Sequence, residues 1–125
     1  MWTYRHPAKG DGVRPHSDQA SVTFNFWITP DDANLDPEHG GLVVYNRMQP
    51  MEWDWYKVNR NKDNPEVLQR INQFLESSGT VTIPYRENRA VMFHSNLFHA
   101  SDRFHFKDNY IDRRMNITLL FGDRE

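Results

Sequence analysis

The clearest chemistry in the chain lies in Pro15-His16-Ser17-Asp18. An imidazole nitrogen and a hard carboxylate oxygen stand two residues apart. In an extended segment such residues point to the same side, a few ångströms from one another. One cation can take both. A further histidine from a distant strand would complete a two-histidine, one-carboxylate face, which leaves three positions open on Fe(II). Six histidines are present: His6, His16, His39, His94, His99 and His105. His99 follows an apolar strand and a polar turn over residues 89–98 and is the natural partner, with His94 at the strand end as its rival. The chain has no cysteine, so any metal must rest on His and carboxylate. Disulfide scaffolds, zinc ribbons, iron–sulfur clusters and thiol nucleophiles are excluded.

A second constellation is Arg114-Met115-Asn116-Ile117-Thr118. Strand alternation puts Arg114, Asn116 and Thr118 on one face, where a guanidinium, an amide and a hydroxyl suit a buried carboxylate. The competing reading is the solvent-facing side of an edge strand, and Arg113 is the neighbouring alternative anchor. Trp53-Asp54-Trp55-Tyr56 and Asn59-Arg60-Asn61-Lys62 read as a lid or substrate wall, or as rings covering a small core. Asn25 and Trp27 reach the metal only if a bulge shifts their strand. His39, His94 and His105 read as structural or surface groups, and His6 lies in a loose lead-in.

These residues need elements to hold them. Residues 1–11 form a short lead-in of irregular chain or short strand, and the polar, Pro- and Gly-punctuated character runs on to Pro15. Ser21 to Ile28 is the strongest strand, with Val22, Phe24, Phe26 and Ile28 on one face. Residues 30–40 read as a loop, and Gly40-Gly41 opens a short strand, Leu42 to Tyr45. An excursion over 46–78 follows. It contains a helix over about 65–78, with Asn64 as N-cap, Pro65 at the first position and Gly79 as the stop. Thr80 to Tyr85, Ala90 to Phe93, one or two short strands within 97–106, and Arg114 to Phe121 complete the list. Many short strands with one helix predict a mainly all-β antiparallel sandwich, barrel or jelly roll.

The 125 residues allow a single domain, 1–125. Aromatic residues make up 14%, too many for a disordered chain. A net charge of −2 argues against a nucleic-acid binder. No apolar run approaches the ~20 residues of a membrane span, and the N-terminus lacks a hydrophobic signal region. The expectation is a cytoplasmic domain with no membrane partner.

Taken in order, Pro15-His16-Ser17-Asp18, Gly40-Gly41-Leu42-Val43-Val44, Asn88-Arg89-Ala90-Val91-Met92-Phe93 through Ser95 to His99-Ala100, and Arg114-x-Asn116-x-Thr118 resemble the Fe(II)- and 2-oxoglutarate-dependent oxygenases. The resemblance runs from about residue 12 to 122 and is nearest to compact hydroxylase-type members. It implies a double-stranded β-helix, the cupin-like jelly roll. It implies His16, Asp18 and His99 as iron ligands, and Arg114 on the far carboxylate of 2-oxoglutarate, with Thr118 and Asn116 assisting. Halogenating relatives lack the carboxylate ligand, so Asp18 points to hydroxylation by a dioxygenase. The implied partners are dioxygen and a small-molecule or protein side-chain substrate. The lead-in is short for the family. The substrate pocket would therefore be completed by the 46–64 excursion, by a second subunit of a homo-oligomer, or by a missing N-terminal segment. The alternatives are a cupin-like metal protein without 2-oxoglutarate and a jelly-roll module that stacks ligands on Trp53 and Trp55. A dense His cluster, expected of the former, is absent.

Overall fold

The computed structural model describes residues 1–50, 52–54, 58–59 and 64–124. It is mainly β, with antiparallel pairing throughout the described strands. β1 (Trp2–Arg5), β3 (Val22–Trp27), β6 (Ala90–His94) and β9 (Met115–Phe121) form a four-stranded sheet in the order β1-β9-β3-β6. β4 (Leu42–Met48), β5 (Thr80–Ile83) and β7 (Leu97–Ser101) form a three-stranded sheet, β5-β4-β7. β2 (Lys9–Gly10) and β8 (Phe104–His105) pair separately. The predicted strands are recovered with shifted ends, and the lead-in contains two strands. β4 runs three residues beyond its predicted end at Tyr45, to Met48.

The two sheets close on Trp27, Ala33, Leu42, Val44, Tyr85, Phe104 and Phe106. Trp27 is wholly buried and stacks on Tyr85, with centroids 5.3 Å apart. The Tyr85 hydroxyl donates to Thr29 O at 2.7 Å, and burial raises its pKa to about 12. A polar tip bonded beside an apolar body lets such a ring be buried at little cost.

Helix α1 (Pro65–Glu76) packs Ile71 and Phe74 against Phe98 of β7 and Tyr45 of β4, on the three-stranded sheet. Asn64 caps it by accepting from Glu66 N at 3.0 Å, and Pro65 occupies the first position, where its missing N–H costs nothing. Ile71 and Phe74 join Val58 and Phe98 in a second apolar cluster, whereas Leu68 is exposed. The helix ends at Glu76 on Ser77, before the predicted stop. Gly79 is not left-handed, and it matters for space instead. A Cβ there would stand 2.7 Å from Asn46 Nδ2. Among the described residues, no helix is long and apolar enough to cross a membrane.

In the four-stranded sheet, β3 and β9 turn polar side chains inward, beside Val91 and Phe93 of β6. In β3 the side facing the other sheet is Thr23, Asn25 and Trp27. Val22, Phe24 and Phe26 lie on the opposite face, beside Met92, Leu119 and Phe121. Met92 is 72% exposed and Phe121 54%. Asn25 therefore faces the interior in regular register, and the expected bulge is not needed.

Candidate metal centre

His16 and Asp18 lie beside β7, where His16 forms an antiparallel bridge with His99. The pairing is held by His16 N–H to His99 O at 3.0 Å and His99 N–H to His16 O at 2.9 Å. Asp18 N–H donates to Ser95 O at 3.0 Å, tying the segment to the turn before β7. These backbone bonds bring together groups far apart in sequence.

One ligand atom from each of His16, Asp18 and His99 lies within 4.8 Å of the others. His99 Nε2 is 3.2 Å from Asp18 Oδ2, and His16 Nε2 is 3.8 Å from Asp18 Oδ1. Donors about 2.1 Å from one ion stand about 3 Å apart at adjacent octahedral corners, so small adjustments seat a cation. Each imidazole is oriented from behind. Its Nδ1 meets a carbonyl, Arg14 O at 2.9 Å for His16 and Leu97 O at 3.1 Å for His99. With a metal bound, a proton on Nδ1 would leave each Nε2 lone pair to the ion, the arrangement metal-ligating histidines use; without one, His99 Nε2–H donates to Asp18 Oδ2. Thr23 Oγ1 donates to Asp18 Oδ2 at 2.7 Å and is itself 2.8 Å from Ser95 Oγ. Burial alone would push the Asp18 carboxyl up. The hydrogen bond and charge of His99, the Thr23 hydroxyl and the charge of His16 outweigh it and hold the carboxyl low. His16, Asp18 and His99 could thus hold a metal ion. Sequence left His94 as a rival, but His94 is exposed, and its Nδ1 accepts from Asn96 N at 3.1 Å.

A cavity of about 240 Å³ opens from this group, lined also by His6, Asn25, Leu42, Arg114, Asn116 and Thr118. Arg114, 1% exposed, faces it just before β9. Its Nε donates to Gly40 O at 2.6 Å, and Nη2 lies 3.4 Å from Gly41 O. Nη1 donates to His6 Nε2 at 2.7 Å and to Asn116 Oδ1 at 3.1 Å. Gly40 has φ +93, and a Cβ at Gly41 would stand 1.8 Å from Ile83 O, so this turn accepts only glycine pairs without distortion. Among the described residues, no carboxylate pairs with Arg114. Burial lowers its pKa to about 10, which leaves it charged at neutral pH. Arg113 is turned away, bonded to Asp108 at 2.7 Å. Thr118 Oγ1 accepts from Asn116 Nδ2 at 3.1 Å and Asn25 Nδ2 at 3.4 Å, so its own hydrogen is free to donate elsewhere.

One expectation needs correction. His6 is not loose: it is buried, its N–H donates to Arg114 O at 2.9 Å, and its ring caps the guanidinium. Pairing of β1 with β9 orders this short segment. Of the two readings offered for Trp53, a ring covering apolar core holds, not a wall of the metal cavity. Trp53 lies 5.3 Å from the Phe74 ring and lines a separate cavity against α1. Trp55, Tyr56, Arg60, Asn61 and Lys62 lie outside the described residues. Asn59 does reach the site, because Ser17 N–H donates to its Oδ1 at 3.0 Å. His39 pairs with Asp102 at 2.8 Å, away from the cavity lining, and His105 is exposed.

Among the residues lining the cavity, Thr23 was not singled out in the sequence, His6 was read as loose, and Asn25 was expected there only with a bulge. The usable signal was the period of two, Tyr4/His6 and Thr23/Asn25/Trp27, which places them on the lining face. Compared with known proteins, the chain matches no family model and no curated relative.

Proposed function

We propose that this protein is an Fe(II)- and 2-oxoglutarate-dependent oxygenase that hydroxylates its substrate. One observation carries the reading. A single cavity joins a three-donor metal face to a buried guanidinium that, among the described residues, lacks an anionic partner. A buried cation without a counter-charge is costly, so a site that keeps one is suited to an anionic ligand. The strand orders β1-β9-β3-β6 and β5-β4-β7, with residue 16 bridged to β7, support the jelly-roll assignment.

In this reading His16 Nε2, Asp18 and His99 Nε2 hold the iron. Two imidazoles and one carboxylate fit Fe(II) and leave positions for other ligands. When bound, iron and 2-oxoglutarate supply oxidation of a substrate C–H bond by dioxygen, coupled to decarboxylation to succinate. Arg114 holds the far carboxylate, and the Thr118 hydroxyl donates to it while Asn116 keeps both side chains in place. Thr23, backed by Ser95, fixes the Asp18 carboxylate. Buried Leu42 gives the cavity part of its apolar lining. The cavity is smaller than the ~300 Å³ lower bound for drug-sized ligands. It accommodates a co-ligand of a few carbons and only the reacting end of a substrate, a small molecule or a protein side chain.

Anaerobic addition of Fe(II) and 2-oxoglutarate should give a weak visible charge-transfer band that Asp18→Ala and His99→Ala abolish. If no band forms, or if the variants leave it intact, the proposal fails. Metal binding without any 2-oxoglutarate binding would instead favour a cupin-like metal protein.

A further inference from the structure

The bonding of Arg114 has a consequence that rests on the reading just given. A guanidinium has five N–H groups, one on Nε and two on each Nη. Nε is spent on Gly40 O at 2.6 Å, a backbone atom in a glycine-only turn. Both Nη1 hydrogens are spent, on His6 Nε2 and Asn116 Oδ1. Only the Nη2 contact, 3.4 Å to Gly41 O, is slack. A carboxylate gripped by two parallel N–H groups needs Nη2 and one of its neighbours. The Nε side is closed by backbone. The Nη1 side is closed by two side chains. Asn116 is fixed in turn through its Nδ2 to Thr118 at 3.1 Å. His6 belongs to a segment paired only along one edge of the sheet.

His6 Nε2 lies 2.7 Å from Arg114 Nη1 and 3.1 Å from Asn116 Oδ1; the guanidinium is the closer partner and a permanent donor, so Nε2 accepts from it and the neutral ring carries its proton on Nδ1. We propose that His6 is the ligand-displaced partner of Arg114 and the second anchor of the dicarboxylate. The arriving carboxylate takes the Nη1 hydrogen, the freed Nε2 lone pair binds one proton from solvent, and that N–H donates to the same carboxylate. Co-ligand binding is thereby coupled to uptake of one proton.

The groups facing His6 agree with this. From β9 and the residue before it come Arg114 and Asn116. Tyr4 of its own strand lies 5.3 Å from its ring, and Phe104 of β8 lies 5.1 Å away. Tyr85 stands behind the guanidinium at 5.9 Å. Among the described residues, no carboxylate is bonded to His6. Burial first, and then the Arg114 charge, hold its pKa down to about 4. A bound carboxylate adds the missing negative charge and reverses the second cause. Linkage is reciprocal, so acid must tighten the anion as the anion tightens the proton.

The test is calorimetric titration of 2-oxoglutarate into the full chain loaded with Zn(II), at about pH 6, in buffers of different ionisation enthalpy. Metal loading keeps His16, Asp18 and His99 from titrating. We expect uptake of about one proton, and about tenfold tighter binding for each pH unit lowered within the window. His6→Gln keeps an acceptor for Arg114 but cannot protonate. It should remove the uptake, flatten the pH dependence and weaken binding at about pH 6 roughly tenfold. Binding with no proton uptake in the wild-type protein overturns the inference and leaves the oxygenase reading standing. Uptake that persists in His6→Gln overturns it too. Absence of 2-oxoglutarate binding overturns both. The wild-type buffer series decides the matter even if the variant does not fold.

Discussion

Replacing Arg114 by methionine separates what the cation does for the fold from what it does for the ligand. The side chain is 1% exposed, and its four partners among the described residues are neutral: Gly40 O, Gly41 O, His6 Nε2 and Asn116 Oδ1. Keeping a desolvated ion there costs several kcal/mol that no counter-charge returns. Methionine fills similar space without the charge. It strands acceptors at about 1–3 kcal/mol each, but the adjoining cavity of about 240 Å³ can admit water to them. The two effects oppose one another. The net change in unfolding free energy should stay within about 2 kcal/mol, a shift in Tm of about 10 °C or less. Ligand binding has no such compensation. Two charge-assisted hydrogen bonds at about 1.5–3 kcal/mol each correspond to a loss of roughly a hundredfold to ten-thousandfold in 2-oxoglutarate affinity. Thermal melting and titration of 2-oxoglutarate into Zn(II)-loaded protein measure the two quantities side by side. Unchanged affinity would refute the reasoning outright. Loss of more than about 4 kcal/mol of stability would show that the arginine is retained for the fold.

Four further outcomes follow from the same contacts. Thr23→Val removes the donor to Asp18 Oδ2 at 2.7 Å and should weaken metal binding about 10–100-fold, read by competition with a chromophoric chelator. The His6 pKa is depressed from 6.5 to about 4, so the folded state binds fewer protons than the unfolded chain between those values. Stability should therefore fall by about 3 kcal/mol as pH drops through that window, and His6→Gln should flatten this part of the urea-denaturation profile. Asp18 is depressed below 3.8, so the stability it contributes to metal-free protein is present above that value and is lost as pH falls further, a loss that Asp18→Asn should remove. Gly41→Ala drives a Cβ to 1.8 Å from Ile83 O and shifts a carbonyl that receives Arg114. It should destabilise the fold by about 3 kcal/mol or more, seen in the same denaturation assay.

Much of the metal face was legible because its information is local. His16 and Asp18 share a side by the period of an extended chain, and the helix start at Asn64-Pro65 follows from capping chemistry alone. The alternation in β9 separated Arg114, Asn116 and Thr118 from Met115 and Ile117, and burial now puts the polar set inside. The choice between His94 and His99 was not local. It depends on the turn at residues 95–96 and on the bridge from His99 to residue 16. The order of the lead-in was equally hidden. β1 has four residues with turn-formers close behind, and pairing with β9 rather than intrinsic propensity holds it.

The faces of β3 show why the remaining lining residues escaped notice. Periodicity divides a strand into two sides but does not say which side is interior. The usual inference puts the apolar side inward. Here Phe24 lies on the outer face of the sheet, while Thr23 and Asn25 look inward beside Asn116 and Thr118. Folding gains little from that choice: the inward hydroxyls and amides must be bonded, and Asn25 Oδ1 still finds no partner among the described residues. The apolar core is instead concentrated at one end, around Trp27, Tyr85 and Phe106, leaving the other end free to be polar. A sheet whose polar side is turned inward gives up hydrophobic burial, and the arrangement is explained if the interior is a binding site. The inward polar pattern Thr23-x-Asn25 in β3, with Asn25 opposite Thr118 of β9, thus supports the binding-site reading independently of the histidines. It points to the same cavity that they occupy.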